Sequence, residues 1–173
     1  MRGVVVFLLL TMVLFTAPNS IAASDYVLPY PPAMPGSTTY ILRRIQEKAL
    51  AFWYFGEFGQ FAYNRMLSDK YLVQAKILFE YHQYLLGIKA LKESNIYFLQ
   101  TNEVLAHTPL KKNGRPGEVL LLKRQAEKHI EILKAIERFL PKKYKWEDER
   151  KHPIDLNFTN EIQEAIEIRR VNS

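Results

Sequence analysis

Chemistry in this chain would have to come from its histidines, carboxylates and serines, because the 173 residues include no cysteine. Thiolate nucleophiles, thiolate metal ligands and disulfides are therefore excluded. The histidines are His82, His107, His129 and His152; no two have the i, i+4 spacing of a helical zinc site, and no HExxH occurs. His129 falls on an apolar stripe and reads as a satisfied core histidine rather than a ligand. Asp69 and Lys70 are neighbours, and neighbours on a helix point apart. A structural bond from Asp69 to another helix or to the N-terminal segment is the expectation. There is no GxSxG, and the GRPG at 114–117 reads as a turn rather than a phosphate cradle. The expectation is a protein that is not an enzyme and holds no cofactor and no metal.

Recognition chemistry has more support. Phe52, Trp53, Tyr54, Phe55, Phe58, Phe61 and Tyr63 fall within twelve residues. Aromatics bury large areas, so such a cluster suits the core around a helix corner. One helix cannot bury four consecutive aromatics on a single face, however, which makes Trp53 and Tyr54 candidates for partner contact. Lys142-Lys143-Tyr144-Lys145-Trp146 is a second basic and aromatic patch. It suits either an anionic surface, through Lys143 and Trp146, or a solvated connector with Trp146 packed on the preceding helix; the connector is preferred.

The elements that must position these residues read as all-α. An apolar stripe of Ile41, Ile45, Ala49 and Phe52, widened by Leu42 and Trp53, predicts a first helix over 39–55 with that stripe turned inward. Ser37, Thr38 and Thr39 offer N-cap hydroxyls, and Gly56 and Gly59 suit a turn around Glu57-Phe58. A second helix is predicted over 60–81, with Phe61, Leu72, Ala75, Leu78 and Phe79 as core. A third is predicted over 84–102, with Leu85, Ile88, Leu91 and Phe98 inward. So short a connection makes these two an antiparallel hairpin, similar to one tetratricopeptide-type repeat. TPLKKNGRPG at 108–117 is the clearest loop. Leu122, Ala126, His129, Leu133, Ile136 and Leu140 mark a fourth helix over 118–140, stopped by Pro141. Residues 142–153 are highly charged and read as irregular, and no strand pattern competes. Asp155 or Asn157 can cap a last helix over 158–170, with Phe158, Ile162, Ala165 and Ile166 facing in.

The first residues point to export. Met1-Arg2-Gly3, the almost wholly apolar Val4–Phe15, and a polar break ending in Ile21-Ala22-Ala23 have the order of a secretory signal. The apolar run is too short to cross a hydrocarbon core of about 30 Å as a helix. Cleavage after Ala22 or Ala23 is expected, with a retained anchor as the alternative. Loss of Arg2 with the leader lowers the net charge from +6 to +5, mildly basic and spread along the chain. No nucleic-acid partner is expected, and membrane association no more than peripheral. DYVLPYPPAMPG at 25–36 holds four prolines in twelve residues. Helix is barred there, yet Tyr26, Val27, Leu28, Tyr30 and Met34 make it too apolar for a free linker; a docked strap that buries Leu28 and Tyr30 is expected. The division is thus 1–23 signal, 24–36 strap and 37–173 one helical domain.

Two stretches carry a resemblance. YVLPYPPAMPGSTTYILRRIQEKALAFW at 26–53 resembles the mature start of a bacterial family of exported helical domains of unknown function, "YVLPYPG-LP-spYf-k-lke". FAYNRMLSDKYLVQAKILFEYHQYLLGIKALKESNIYF at 61–98 is similar to that family's hairpin, with Asp69-Lys70, Leu72, Ala75, Leu78-Phe79, Tyr84 and Tyr97-Phe98 where its pattern expects them. HIEILKAI at 129–136 is similar to its last strong element. The resemblance implies an exported, antiparallel bundle of about five helices, in which Asp69, Phe79, Tyr84 and Tyr97 are structural; it implies no reaction and no cofactor. The family favours glycine at the hairpin turn, where this chain has His82. A left-handed C-cap is less comfortable for histidine, so a longer helix or looser turn is the expectation there. The functional expectation is an exported, non-catalytic module meeting a protein or another component of the cell envelope; the alternative is a cell-surface binder of glycan or lipid.

Overall fold

The structure, a computed structural model, describes residues 26–30, 35, 38–107, 116–148 and 151–172. The expected leader, most of the expected strap and the loop at 108–115 lie outside the described residues. Five helices and one hairpin of strands follow in order: α1 (Thr38–Trp53), α2 (Gly56–Glu80), α3 (Tyr84–His107), α4 (Pro116–Phe139), β1 (Lys143–Asp148), β2 (Lys151–Asn157) and α5 (Phe158–Val171). The fold is an all-α helical bundle with a small two-stranded accessory.

The antiparallel pair α2–α3 is its spine. Phe79 of α2 presses against Gly87 of α3, where an added Cβ would stand 2.5 Å from the ring. Further along, Ser68 and Ser94 exchange hydroxyl-to-carbonyl bonds of 3.0 and 2.8 Å. The main core gathers Leu72, Leu78, Phe79, Leu91, Leu133, Ile136, Phe158 and Ile162 from four helices. Each fully buried side chain of this size contributes roughly 1.5–3 kcal/mol before entropy is charged against it. Phe79 and Phe158 meet edge-on at 5.9 Å, and Tyr84 sits 5.1 Å from Phe158. Tyr97 stacks flat on Tyr71 at 5.6 Å in a second cluster.

Three expectations are corrected. First, α2 begins at Gly56, so Gly59 lies within a helix rather than in a turn. Gly56 takes the left-handed φ of 75°, and a Cβ on Gly59 would stand 2.7 Å from the Tyr54 carbonyl carbon. The corner between α1 and α2 is tight because both positions lack a side chain. Second, His82 does adopt the left-handed conformation, φ 61°, with neither a longer helix nor a looser turn. Its amide donates to the Phe79 carbonyl and the Gln83 amide to the Leu78 carbonyl, which closes the end of α2 in a Schellman motif. Third, residues 142–153 are largely strand. Tyr144 faces Leu156 and Trp146 faces Ile154 across the ladder, so one face of the hairpin is apolar and covers the core while lysines take the other. The strand ends at Asn157, which caps α5 by accepting from the Asn160 amide at 3.2 Å.

Candidate functional site

Two features stand out from the packed bundle: a chain of buried polar groups and an outward-facing apolar helix. The polar chain starts on α2, where Asp69 is 3% exposed. Tyr26 of the strap donates its hydroxyl to Asp69 Oδ2 at 2.6 Å and accepts from Arg65. Gln125 Nε2 of α4 donates to Asp69 Oδ1 at 2.6 Å, and His129 Nε2 lies 2.7 Å from the same oxygen. Arg169 of α5 bonds His129 Nδ1 at 3.0 Å, Asn95 Oδ1 at 2.6 Å, Ser94 Oγ at 2.9 Å and the Ala165 carbonyl at 2.8 Å. One connected set of bonds thus ties the strap to α2, α3, α4 and α5.

Burial sets the charges. It lowers His129 to about 4, against the opposing hydrogen bond that His129 donates to Asp69, so the imidazole is neutral at pH 7. It lowers Arg169 to about 9, which leaves a cation at pH 7. Tyr26 is pushed above its ordinary value by burial first and then by the Asp69 charge. A cleft of about 460 Å³ opens beside this strap anchor, lined by Tyr26, Leu28, Arg65 and Asp69 among others. Among the described residues no group of three or more histidines and carboxylates gathers as metal ligands would. Asp69 therefore bonds both to the strap and to another helix, and both of its oxygens are engaged in holding elements together.

The strap anchors differently from the expectation. Leu28 is half-buried, but Tyr30 is 84% exposed and Val27 equally open. Tyr26 is the residue that docks, and it does so by its hydroxyl as much as by its ring. Proline-rich backbone holds side chains at fixed spacing without a helix to gather them on one face.

The second feature is α1, and here the expected inward stripe is corrected. Ile41, Ile45, Phe52 and Trp53 are 65%, 61%, 87% and 78% exposed, and Leu42 is exposed beside them. The helix meets α2 through its opposite side. Glu47 pairs with Lys70 and accepts from Tyr71 at 3.1 Å; Arg44 donates to the Tyr71 hydroxyl at 2.8 Å. Tyr63 donates to the Glu47 carbonyl at 2.8 Å, and the half-buried Tyr54 ring lies 5.6 Å from Tyr63. Of the aromatics at the corner, Phe61 and Tyr63 are core while Phe52, Trp53 and Phe55 face out. The patch in the strand hairpin is different: Lys143 is exposed on β1, while Trp146 is half-buried against the main core.

No family model, curated protein or solved structure matches the chain. Arg169 escapes a reading of the sequence because, beside Arg170 at the end of the last helix, it looks like terminal charge. Its signal is position: it stands three, four and seven residues after Ile166, Ala165 and Ile162, all buried.

Proposed function

We propose that this chain is an exported, non-catalytic interaction module of the helical-domain family it resembles, and that α1 is the element that meets its partner. The observation that carries the reading is the orientation of α1, polar side against the bundle and apolar side to the outside. An isolated domain gains nothing from such an arrangement, since an exposed apolar stripe costs solubility without adding to the core. Surface helices ordinarily turn that stripe inward. The leader-type N-terminus supports delivery to the envelope, and the buried polar chain supports a structural rather than catalytic use of Asp69 and His129.

A photo-crosslinking residue placed at Ile45 tests this in the producing cell, with the same residue at Lys134 on the exposed side of α4 as reference. Adducts from position 45 alone are the expected result. Equal or absent labelling at both positions overturns the role of α1.

A further inference from the structure

Resting on the reading of α1 as the docking element, we infer that its occupant is the surface of an anionic lipid bilayer. Sixteen helical residues span about 24 Å. At about 100° per residue, Ile41, Ile45, Phe52, Ala49, Leu42 and Trp53 fill one continuous sector about 120° wide. All six are exposed. The residues that contact α2, among them Arg44, Glu47, Ala51 and Tyr54, lie on the other side of the helix, so the sector points away from the bundle.

Charge selects the kind of surface. Glu47 is the sole acidic residue of α1, and it is turned inward onto Lys70. The exposed charges of α1 are Arg43 and Lys48, both cationic, with Lys48 at the border of the apolar sector. The next acid along the chain is Glu57, exposed in the first turn of α2. Phe52, Trp53 and Phe55 close the sector at its C-terminal end with aromatic rings, the side chains that settle at headgroup depth. An amphipathic helix with aromatic and branched residues on one side, lysine at its margin and no exposed acid lies in the plane of an anionic interface.

Area argues against a second copy as occupant. Two such helices side by side touch over a strip about 24 Å long and about 10 Å wide, on the order of 500 Å² for both partners, well short of the roughly 1,200–2,000 Å² that a stable protein interface buries. A bilayer has no such requirement, because burial of the sector to a depth of roughly 5–10 Å removes all six side chains from water at once.

The test uses the full chain carrying Trp146→Phe, so that Trp53 is its one tryptophan. It is mixed with vesicles of brominated phosphatidylcholine, with and without about 30% phosphatidylglycerol. Quenching by brominated acyl chains reads the depth of Trp53 itself, and variants of α1 keep the apolar run at 4–15, so a loss of quenching in them separates docking of α1 from insertion of that run. Strong quenching on the anionic vesicles, weakened by high salt, is expected. An Ile45→Glu, Phe52→Glu variant, with unchanged circular dichroism because both residues face solvent, should partition at least about tenfold more weakly. Arg43→Glu with Lys48→Glu should lose the preference for phosphatidylglycerol. The inference is overturned by unquenched Trp53, by equal quenching on pure phosphatidylcholine, or by double variants that quench like the parent. It is equally overturned by a vesicle-free dimer in sedimentation that Ile45→Glu, Phe52→Glu abolishes, which would make a second copy the occupant. Crosslinks from position 45 to protein, with Trp53 unquenched, would sink the bilayer while leaving α1 as the docking element.

Discussion

Arg169 Nε stands 3.0 Å from His129 Nδ1, with both side chains fully buried. A guanidinium has donors and no acceptor, so Nδ1 must be the unprotonated nitrogen. The imidazole proton then resides on Nε2, where it is donated to Asp69 Oδ1 at 2.7 Å. One contact from the last helix fixes the tautomer on which the bond to α2 depends. A second proton on His129 would set an imidazolium against Arg169 with both groups fully buried.

That arrangement gives stability a definite pH dependence. His129 is held at about 4 in the fold and titrates near 6.5 when unfolded. The unfolded chain therefore binds the extra proton first. The contribution is fully present above about pH 6.5 and is lost as pH falls toward 4, a difference on the order of 3 kcal/mol. Urea denaturation at pH 7.5, 6, 5 and 4.5 should show a steadily falling midpoint. His129→Gln should flatten that slope, and a variant as acid-sensitive as the parent would show that other groups drive it.

Arg169→Met should cost about 3–5 kcal/mol, because each buried acceptor left unsatisfied costs about 1–3 kcal/mol. It leaves Asn95 Oδ1, Ser94 Oγ and His129 Nδ1 without their donor. Arg169→Lys should rescue little, since one ammonium cannot reproduce the fork of donors that serves acceptors on both α3 and α4. Arg170→Met, one residue on and exposed, should stay within about 0.5 kcal/mol. Equal urea midpoints for the Arg169→Met and Arg170→Met variants would refute the bracing role.

His82→Gly should raise stability by a few tenths to about 1 kcal/mol. The histidine holds φ at 61° with its side chain exposed, so its removal relieves a steric cost. The stacking of His82 on Tyr84, centroids 5.7 Å apart, offsets a part of the gain. Thermal melts of the two chains compare these directly, and a lower midpoint for glycine would mean the stacking dominates.

Tyr26→Phe should destabilise by about 1–3 kcal/mol, because it strips a hydrogen bond from a buried carboxylate while leaving the ring. Tyr30→Phe and Tyr30→Ala should change little, as that side chain is mostly in water. Guanidinium titrations of the three variants rank the strap's contacts, and a Tyr30→Ala loss matching Tyr26→Phe would move the anchor.

The bundle is legible in the sequence because Leu122, Ala126, His129, Leu133 and Ile136 recur at a period only a buried helix face explains, and all are buried. The same periodicity misleads at α1. Ile41, Ile45 and Phe52 report that the helix has an apolar side; periodicity is silent about what covers it. The strand hairpin is hidden by charge: Lys143, Lys145, Glu147 and Asp155 obscure the alternating Tyr144, Trp146, Ile154 and Leu156 that make the ladder. Asp69 is legible as a residue with bonds to make, but its partners lie 43, 56 and 60 residues away, distances that local pattern does not encode.

The position of Arg169 along the chain has a consequence for the order of assembly. It follows every element it braces, 40 residues after His129 and 74 after Asn95. A chain that emerges N-terminus first, from a ribosome or through a translocation channel, presents α2, α3 and α4 while the cation that completes their interior is still to come. Those helices can approach, but the polar groups between them keep water until α5 docks. Completion of the core is thereby tied to the emergence of the last helix. Amide exchange in a chain ended at Asn157 would read this as poor protection along α3 and α4, and native-like protection there would refute it.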